Sequence, residues 1–417
     1  MQAIIGIPDS LGGQHEAQRL LFREISGVPL LLRAIATASR AGVDKVLLVF
    51  PGFIPPEVMT RVRECRIFAA GPRIECVSVP GFCPGCSAAW QQISARLHDE
   101  FLWVPWNLVT NKHSLLRLEA LAEKPDSWTH AARLRREAVT RTGKPGSRAE
   151  KPQGVSVVSE DSVKTAERWL VANSGKPLDG IYTSFNRRLC RPVVRALTHT
   201  AVSPNAVTLV GLLVACLSAY CFSSGSYLLS VIGALLFFLS GLCDEVDGML
   251  ARIKFSDSAF GTWFEGSVDN LSYLLLFGGI ALGLSRHRGP RELWIGAAVL
   301  GGAILSVAAV SWLRHHSTHP QQPSEYLGKM YRRLEEDRGN WISRISRNIE
   351  FLLKKGVFIH YVVLFAILGL LPVMMRIAAF AANLTWIVAL YFAKRFFRGP
   401  RPTAEAVAFP NPAKVNL

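Results

Sequence analysis

The chain has 417 residues, of which 50% are hydrophobic and 19% charged, and its formal net charge is +16. So apolar a composition excludes an ordinary soluble protein and indicates a membrane protein with a soluble part, long enough for two domains. The charge fits the basic inner loops of membrane proteins beside anionic lipid, and we expect no nucleic-acid partner because no basic-aromatic stripe occurs. The first nine residues lack a charged region and a cleavage site, so we expect no signal peptide and a cytoplasmic N-terminus.

Residues 1–110 alternate between short apolar runs and helical spacing, which predicts an α/β domain with a parallel sheet. Strands are expected at Ala3–Ile7, Lys45–Phe50, Val77–Val79 and Phe101–Val104. A helix is expected over Pro29–Ala41. Residues 124–155, rich in Arg, Lys, Pro, Gly and Ser, predict an exposed loop or insertion.

The helix signals that follow are of two kinds. Ser159–Ala172 has apolar residues at helical spacing, with Ser159 or Asp161 as its cap. Residues 176–200 form a basic amphipathic stretch, which predicts a helix lying in the membrane interface. Its arginines either anchor it at the membrane or face a phosphorylated substrate.

Six apolar stretches after residue 200 approach the roughly 20 residues that a membrane span needs. They lie at about 207–223, 227–243, 267–285, 293–313, 356–374 and 377–394. Lys and Arg are concentrated in the loops on one side, which predicts that both termini are inside. The loop at 314–355 carries His315, His316 and His319, for which a solvated loop is favoured over a metal site.

Eight cysteines are scattered along the chain and form no disulfide framework. Cys65, Cys76, Cys83 and Cys86 lie in the N-terminal domain, the last two as Cys-Pro-Gly-Cys. Four thiols can hold zinc, but the spacing is irregular, and ordinary buried or surface thiols are the favoured interpretation.

Four carboxylates stand at regular offsets beside two of the apolar stretches. Asp244 and Asp247 are three residues apart, and Glu265 and Asp269 are four apart, so each pair shares a helix face. Acids that face one another in a helical bundle repel each other, and divalent cations held by their oxygen atoms relieve this repulsion. The small Gly248 and the nearby Arg252 suit the close approach of a phosphate. Together these residues predict a site for a metal-bound nucleotide diphosphate.

The spacing D-x2-D-G-x2-A-R-x8-G-x3-[D/E]-x3-D resembles the signature of the CDP-alcohol phosphatidyltransferases. Seven of its eight fixed residues occur here, and the exception is Glu265, where the family has aspartate. The resemblance implies that one or two Mg²⁺ or Mn²⁺ ions are held by Asp244, Asp247, Glu265 and Asp269, with Asp269 also the catalytic base. It implies a nucleotide site formed by Asn205, Thr208, Asp244, Gly248, Ala251, Arg252 and Gly261. Arg187 and Arg191 are the expected contacts to an acceptor phosphate.

The N-terminal run Ile25-Ser-Gly27-Val-Pro29-Leu30-Leu31 resembles nucleotidyltransferases of the glycosyltransferase-A type. The glycine-rich loop of that family is reduced here to Gly12-Gly13, and Leu20 replaces its lysine. The segment Leu102–Asn107 stands where that family has a metal-binding aspartate. These departures favour a degenerate, non-catalytic domain.

The order of motifs resembles a fusion of inositol-1-phosphate cytidylyltransferase with di-myo-inositol-phosphate phosphate synthase. The matching residues are Lys176, Asp179, Gly180, Asn186, Arg187, Ser203, Pro204, Asn205 and Thr208. The fusion favours a CDP-polyol donor or a phosphorylated polyol acceptor, whereas the residues themselves leave a lipid donor equally open.

The expected architecture has four parts. They are a cytoplasmic nucleotidyltransferase-like α/β domain (1–172), an interfacial amphipathic helix (173–200), an all-α six-helix transmembrane domain (201–398) and a disordered tail (399–417). The expected function is a metal-dependent phosphotransferase in the cytoplasmic membrane that releases CMP, uses a CDP-alcohol and an alcohol or phosphoalcohol acceptor, and forms a homodimer through its membrane domain. The alternative is a catalytically decayed membrane scaffold or nucleotide sensor.

Overall fold

The computed structural model describes residues 1–7, 20–52, 54, 56–64, 72–118, 121–122, 128–140, 153–175, 180–317 and 355–396. They form two compact units. One comprises residues 1–179, 187–206 and 245–261, and the other comprises 180–186, 207–244 and 262–417, in each case as far as they are described. The division runs through four continuous helices, and the expected domain boundaries stay a prediction.

The first unit is built on a six-stranded sheet with the order β5-β4-β1-β6-β9-β8. The described strands are β1 (Gln2–Gly6), β2 (Glu24–Ile25), β3 (Val28–Pro29), β4 (Lys45–Phe50), β5 (Arg73–Ser78), β6 (Glu100–Trp103), β7 (Leu108–Thr110), β8 (Leu121–Ala122), β9 (Ala132–Arg135) and β10 (Gly154–Ser156). Strands β5, β4, β1 and β6 are parallel, as predicted. Strand β9 pairs antiparallel with β6, so the whole sheet is mixed and the parallel prediction holds for those four strands.

Both faces of this sheet are covered, because successive side chains of a strand point to opposite sides. Ala3, Ile5 and Leu48 belong to the core on one face. Ile4 and Leu47 belong to the core on the other, with an aromatic group around Trp90. The continuous apolar runs of β1 and β4 therefore correctly predicted buried strands.

Five α-helices accompany the strands of this unit in its described residues before Ser159. They are α1 (Leu30–Arg40), α2 (Pro56–Glu64), α3 (Ser87–Ile93), α4 (Lys112–Leu116) and α5 (Arg136–Thr140). The stretch 124–155, predicted as a loop, contains strand β9 and helix α5 in its described part. That prediction was wrong there, because Ala132–Arg135 has only two apolar residues and its place in the sheet depends on pairing with β6.

Helix α6 (Glu160–Ala172) begins where the sequence indicated. The Ser159 hydroxyl accepts a hydrogen bond from the Ser162 amide, and the Ser162 hydroxyl accepts one from the Ser159 amide. This reciprocal capping box satisfies two amides that the first helical turn leaves unbonded.

Helix α7 (Ile181–Thr198) corresponds to the predicted interfacial segment. Ile181, Phe185, Leu189 and Val193 are each about half exposed or more, on one stripe at four-residue spacing. The amphipathic pattern is thus present, and its placement in a membrane interface stays a prediction.

The remaining helices are long and apolar. They are α8 (Pro204–Ser223), α9 (Tyr227–Lys254), α10 (Ala259–Arg288), α11 (Arg291–Ser317), α12 (Lys355–Ile367) and α13 (Leu371–Phe396). Five of the described helices, all but α12, are long and apolar enough to cross a membrane. Helix α12 has 13 residues, so the fifth predicted span, at 356–374, is present as an apolar helix but is too short, as described, to count as a span.

The second unit has its own core of apolar side chains from these helices, including Phe222, Phe237, Ile280, Ile359 and Met375. Its helices approach closely where glycines lie at the crossings. A Cβ atom at Gly283 would overlap the carbonyl oxygen of Phe222, so only glycine permits this approach.

Candidate active site

Three carboxylates come together on helices α9 and α10. Asp244 and Asp247 are one turn apart on α9, and Glu265 lies in the second turn of α10. One carboxylate oxygen from each lies within 4.8 Å of the other two. Asp247 is 3% exposed, and Asp244 and Glu265 are half-buried. Three acids this close repel one another unless a cation lies between them, and oxygen-only ligands suit Mg²⁺ or Mn²⁺.

Asp269, the predicted base, follows Glu265 by one helical turn on α10 and is half-buried. It is not one of the three residues of the carboxylate cluster. The cluster therefore contains three of the four expected metal ligands, and the fourth stands beside it along the helix. The role of Asp269 stays a prediction.

Small residues give room for side chains beside this cluster. A Cβ atom on Gly248 would lie 3.3 Å from Nη1 of Arg252, so the guanidinium of Arg252 folds back over the glycine one turn earlier. At Gly261, a Cβ atom would lie 3.0 Å from Oγ of Ser258 and 3.2 Å from Oδ1 of Asn205. The structure thus brings Asn205 beside Gly261, and their contact with a nucleotide stays a prediction.

The other predicted nucleotide-site residues are less informative. Ala251 is half-buried on α9, and Thr208 is 6% exposed in the first turns of α8. Their contact with a nucleotide stays a prediction.

The predicted acceptor arginines are both engaged within the protein. Nε of Arg187 donates to Oε2 of Glu245 at 2.9 Å, and their side chains are 10% and 14% exposed. Nη2 of Arg191 donates to the carbonyl of Ala172 at 3.2 Å. Glu245 is therefore the partner of a predicted site residue, and the sequence did not single it out because nothing in its spacing shows that it faces an arginine 58 positions away.

Comparison with known proteins decides the family. Residues 201–392 match the family model described as CDP-alcohol phosphatidyltransferase. Residues 201–392 belong to the CDP-alcohol phosphatidyltransferase family. All of the carboxylates described above lie in the matched part.

Relatives of known sequence support this placement. An archaetidylinositol phosphate synthase of Methanothermobacter thermautotrophicus is 36% identical over 98 residues, which are 22% of this chain and 49% of that protein. An uncharacterized protein of Aquifex aeolicus is 32% identical over 177 residues, 42% of this chain and 83% of its own length. A bifunctional IPC transferase and DIPP synthase of Aquifex aeolicus is 23% identical over 240 residues, 57% of this chain and 50% of that protein. This chain spans about half the length of both named synthases.

The helix that carries the CDP-alcohol phosphatidyltransferase motif, α9, ends in a specific cap. Phe255 has a φ of +54° and the Ser256 amide donates to the carbonyl of Ala251, which is a Schellman arrangement. Phe255 occupies the left-handed position where glycine is usual, at a cost of about 1–2 kcal/mol. The guanidinium groups of Arg33 and Arg40 lie 5.1 and 4.6 Å from the centre of its ring. These cation–π contacts offset part of that cost.

The same two arginines bond the last carbonyl groups of α9. Nη1 of Arg33 donates to Ile253 and Nη1 of Arg40 donates to Arg252. Arg33 is 1% exposed, and desolvation by burial lowers its pKa to about 9. Arg40 also forms an ion pair with Asp257. The N-terminal residues thus fix the end of the motif helix, a contact that no sequence pattern indicated.

The nucleotidyltransferase-like features of this family member are incomplete. Gly12 and Gly13 lie outside the described residues, and Leu20 is half-buried and packs against the core. At the carboxyl end of β1, the ring of Trp103 packs directly against Gly6. Ligands of open parallel sheets bind at the carboxyl ends of the strands. At this end of β1 the indole ring of Trp103 fills the space beside Gly6. Asn107 donates to the carbonyl of Val157.

The cysteine prediction is tested only in part. Cys65 lies outside the described residues. Cys76 is half-buried, Cys83 and Cys86 are exposed, and in the described chain none of the three forms a disulfide bond. Within the described chain, the only group of three or more His, Cys, Asp or Glu placed to hold a metal is the carboxylate cluster.

Proposed function

We propose that this chain is an integral membrane phosphotransferase that moves a phosphoalcohol group from a CDP-alcohol to the hydroxyl of an acceptor alcohol. The observation that carries the proposal is the carboxylate cluster of Asp244, Asp247 and Glu265, within 4.8 Å of one another in the part that matches the family. Seven of the eight signature residues support an active enzyme over a decayed scaffold.

The reaction balances as a displacement at phosphorus. The acceptor oxygen forms a bond to the phosphorus that carries the alcohol, and the bond from that phosphorus to the bridging oxygen breaks. CMP leaves with the bridging oxygen and its electron pair. The hydroxyl proton passes to the carboxylate of Asp269, which acts as general base. The product is a phosphodiester.

The carboxylate set fits one or two Mg²⁺ or Mn²⁺ ions through Asp244, Asp247 and Glu265, with Asp269 as the further ligand. Such an ion, when bound, neutralises the diphosphate and the charge that develops on the leaving CMP. Glu265 is one methylene longer than the aspartate of the family signature, and its presence in the cluster supports its retention as a ligand.

The donor nucleotide is seated by the small residues and the arginine of the motif. Gly248, Ala251 and Gly261 permit close approach, and Arg252 offers a planar pair of donors to a phosphate oxygen. Asn205, which lies beside Gly261, and Thr208 complete this side.

The acceptor is assigned from charge and from the relatives. Two relatives are synthases whose names include an inositol phosphate or DIPP product, which favours a phosphorylated polyol in one of the two substrates. Arg187 and Arg191 are the proposed contacts to its phosphate. Glu245 would then hold Arg187 in place through their 2.9 Å ion pair.

The setting of the enzyme is part of the same proposal. Both termini and the site are proposed to lie on the cytoplasmic side of the cytoplasmic membrane, where CDP-activated alcohols are made, and the bias of Lys and Arg toward the loops on one side supports this orientation. A homodimer through the membrane domain is proposed. The N-terminal domain is proposed to be non-catalytic, which the packing of Trp103 against Gly6 supports.

The base is tested by Asp269→Asn. This variant is expected to abolish CMP release while keeping the thermal midpoint of the wild type, because the amide keeps the shape of the carboxylate but takes up no proton. Asp161→Asn, an exposed acid in the first turn of α6, is the matched control and is expected to keep full activity. Full CMP release by Asp269→Asn would refute the assignment.

A further inference from the structure

A cavity of about 280 Å³ lies within the first unit, between the N-terminal α/β part and the end of the motif helix. Its walls come from α1, the turn before α4, the end of α6 and residues 252–257. It is larger than a few ordered waters need, since one water takes about 30 Å³. None of the residues in the carboxylate cluster lines it.

The charge of this cavity is strongly positive. Arg33, Arg40, Lys112 and Arg252 line it, and Asp257 is the one carboxylate in its described lining. Asp257 is paired with Arg40, and the end of α9 adds about half a negative charge. An excess of more than two positive charges therefore remains. His113, also in the lining, has its pKa lowered by burial and by the charges of Lys112, Arg117 and Arg252.

Arg33 is a buried cation in the wall of this cavity. It is 1% exposed, and its two hydrogen bonds go to the neutral carbonyl oxygens of Ile25 and Ile253. Its Nε group is buried and donates to no acceptor in the described part of the chain. Glu167 attracts this buried charge and offsets part of its cost. The unused donor in the cavity wall is still costly unless a further acceptor, such as a bound anion, lies near it.

We propose that this cavity binds a small soluble phosphate-bearing anion, at a site separate from the carboxylate cluster. The four cations supply the charge, and Arg33 and Lys112 supply donors. The volume leaves room for a small group attached to the phosphate. Arg252 lines the cavity and also folds over Gly248, so an anion bound here reaches the arginine of the nucleotide motif.

The test measures phosphate binding to the full chain in detergent by isothermal titration calorimetry, at fixed ionic strength because a chain of charge +16 attracts anions non-specifically. Inorganic phosphate and glycerol 3-phosphate are titrated separately, without any CDP-alcohol, so the outcome does not depend on the proposed function. Saturable binding of either ligand that Lys112→Gln weakens supports the site, because Arg187 and Arg191 do not line this cavity. The ligand that binds more tightly shows whether the site prefers free phosphate or a phosphomonoester.

Two substitutions in the cavity wall are expected to change the phosphate affinity in opposite directions. Lys112→Gln removes an exposed cation and is expected to weaken binding about tenfold, the value of one charge-assisted hydrogen bond. Asp257→Asn removes the opposing acid and is expected to tighten binding. Lys164→Gln, exposed on α6 and not in the lining, is the matched control and is expected to bind as the wild type does.

The proposal is overturned if neither ligand binds saturably. It is also overturned if Lys112→Gln and Asp257→Asn both bind as Lys164→Gln does. Lys112 and Asp257 are both exposed residues, so neither variant threatens the fold.

Discussion

The ion pair between Arg187 and Glu245 gives the sharpest structural prediction. Both side chains are largely buried, at 10% and 14% exposure, and Nε of Arg187 lies 2.9 Å from Oε2 of Glu245. Glu245→Gln keeps the size and a hydrogen-bond acceptor but removes the negative charge. Arg187 then stays buried without this carboxylate.

The magnitude follows from that burial. Removing one partner of a buried pair costs about 3–5 kcal/mol, and the retained amide oxygen places this variant at the lower end, about 3 kcal/mol. Domains of 150–250 residues lose about 2–4 °C of thermal midpoint per kcal/mol, so a fall of roughly 6–12 °C is expected. The assay is thermal unfolding in detergent followed by tryptophan fluorescence.

An exposed pair of the same chemistry is the control. Arg23 and Glu160 lie 2.6 Å apart with side chains 48% and 69% exposed. Surface pairs contribute about 0–1 kcal/mol, so Glu160→Gln is expected to shift the midpoint by no more than about 4 °C. Equal shifts in the two variants would refute the reasoning from burial.

Two further predictions concern a glycine and a thiol. Gly261→Ala adds a Cβ atom 3.0 Å from Oγ of Ser258 and 3.2 Å from Oδ1 of Asn205. Steady-state kinetics are therefore expected to show a raised KM for the CDP-alcohol. The control is Gly266→Ala on the same helix, whose Cβ atom meets nothing within 4 Å and which is expected to leave that KM unchanged. Equal KM values would contradict the nucleotide assignment. Burial raises the pKa of Cys76 to about 11, so its thiol stays protonated at pH 8. Mass spectrometry after iodoacetamide treatment is expected to show that the exposed Cys83 is alkylated first. Cys76 is expected to react only as the pH approaches 11. Faster labelling of Cys76 at pH 8 would count against its burial.

The parts of the fold that local chemistry determines could be predicted from the sequence. Apolar runs located β1, β4 and β6, and the Ser159 cap located the start of α6. Strand β9 could not be found, because Ala-Arg-Leu-Arg becomes a strand only by pairing with β6. Strand β5 was predicted too short, since Arg73 and Glu75 interrupt its apolar residues.

The site residues, too, divide into those that local sequence patterns predicted and those that depend on contacts between distant segments. Helical spacing correctly brought Asp244 and Asp247 together, and the motif resemblance added Glu265. Contacts between distant residues left no local signal. Glu245 looked like one more acid in an acidic run, and Arg33 looked like an ordinary residue of an N-terminal helix, yet each bonds a residue on a distant segment.

The central claim is that the carboxylate cluster supports metal-dependent transfer with release of CMP. The most direct measurement incubates the purified protein with Mg²⁺ or Mn²⁺ and a panel of CDP-alcohols, crossed with polyol phosphates and other acceptor alcohols, and quantifies CMP. The account predicts CMP release with at least one pair of substrates, lost on addition of EDTA and in Asp247→Asn. CMP release that persists under EDTA, or none from a protein shown to bind its CDP-alcohol, would contradict it.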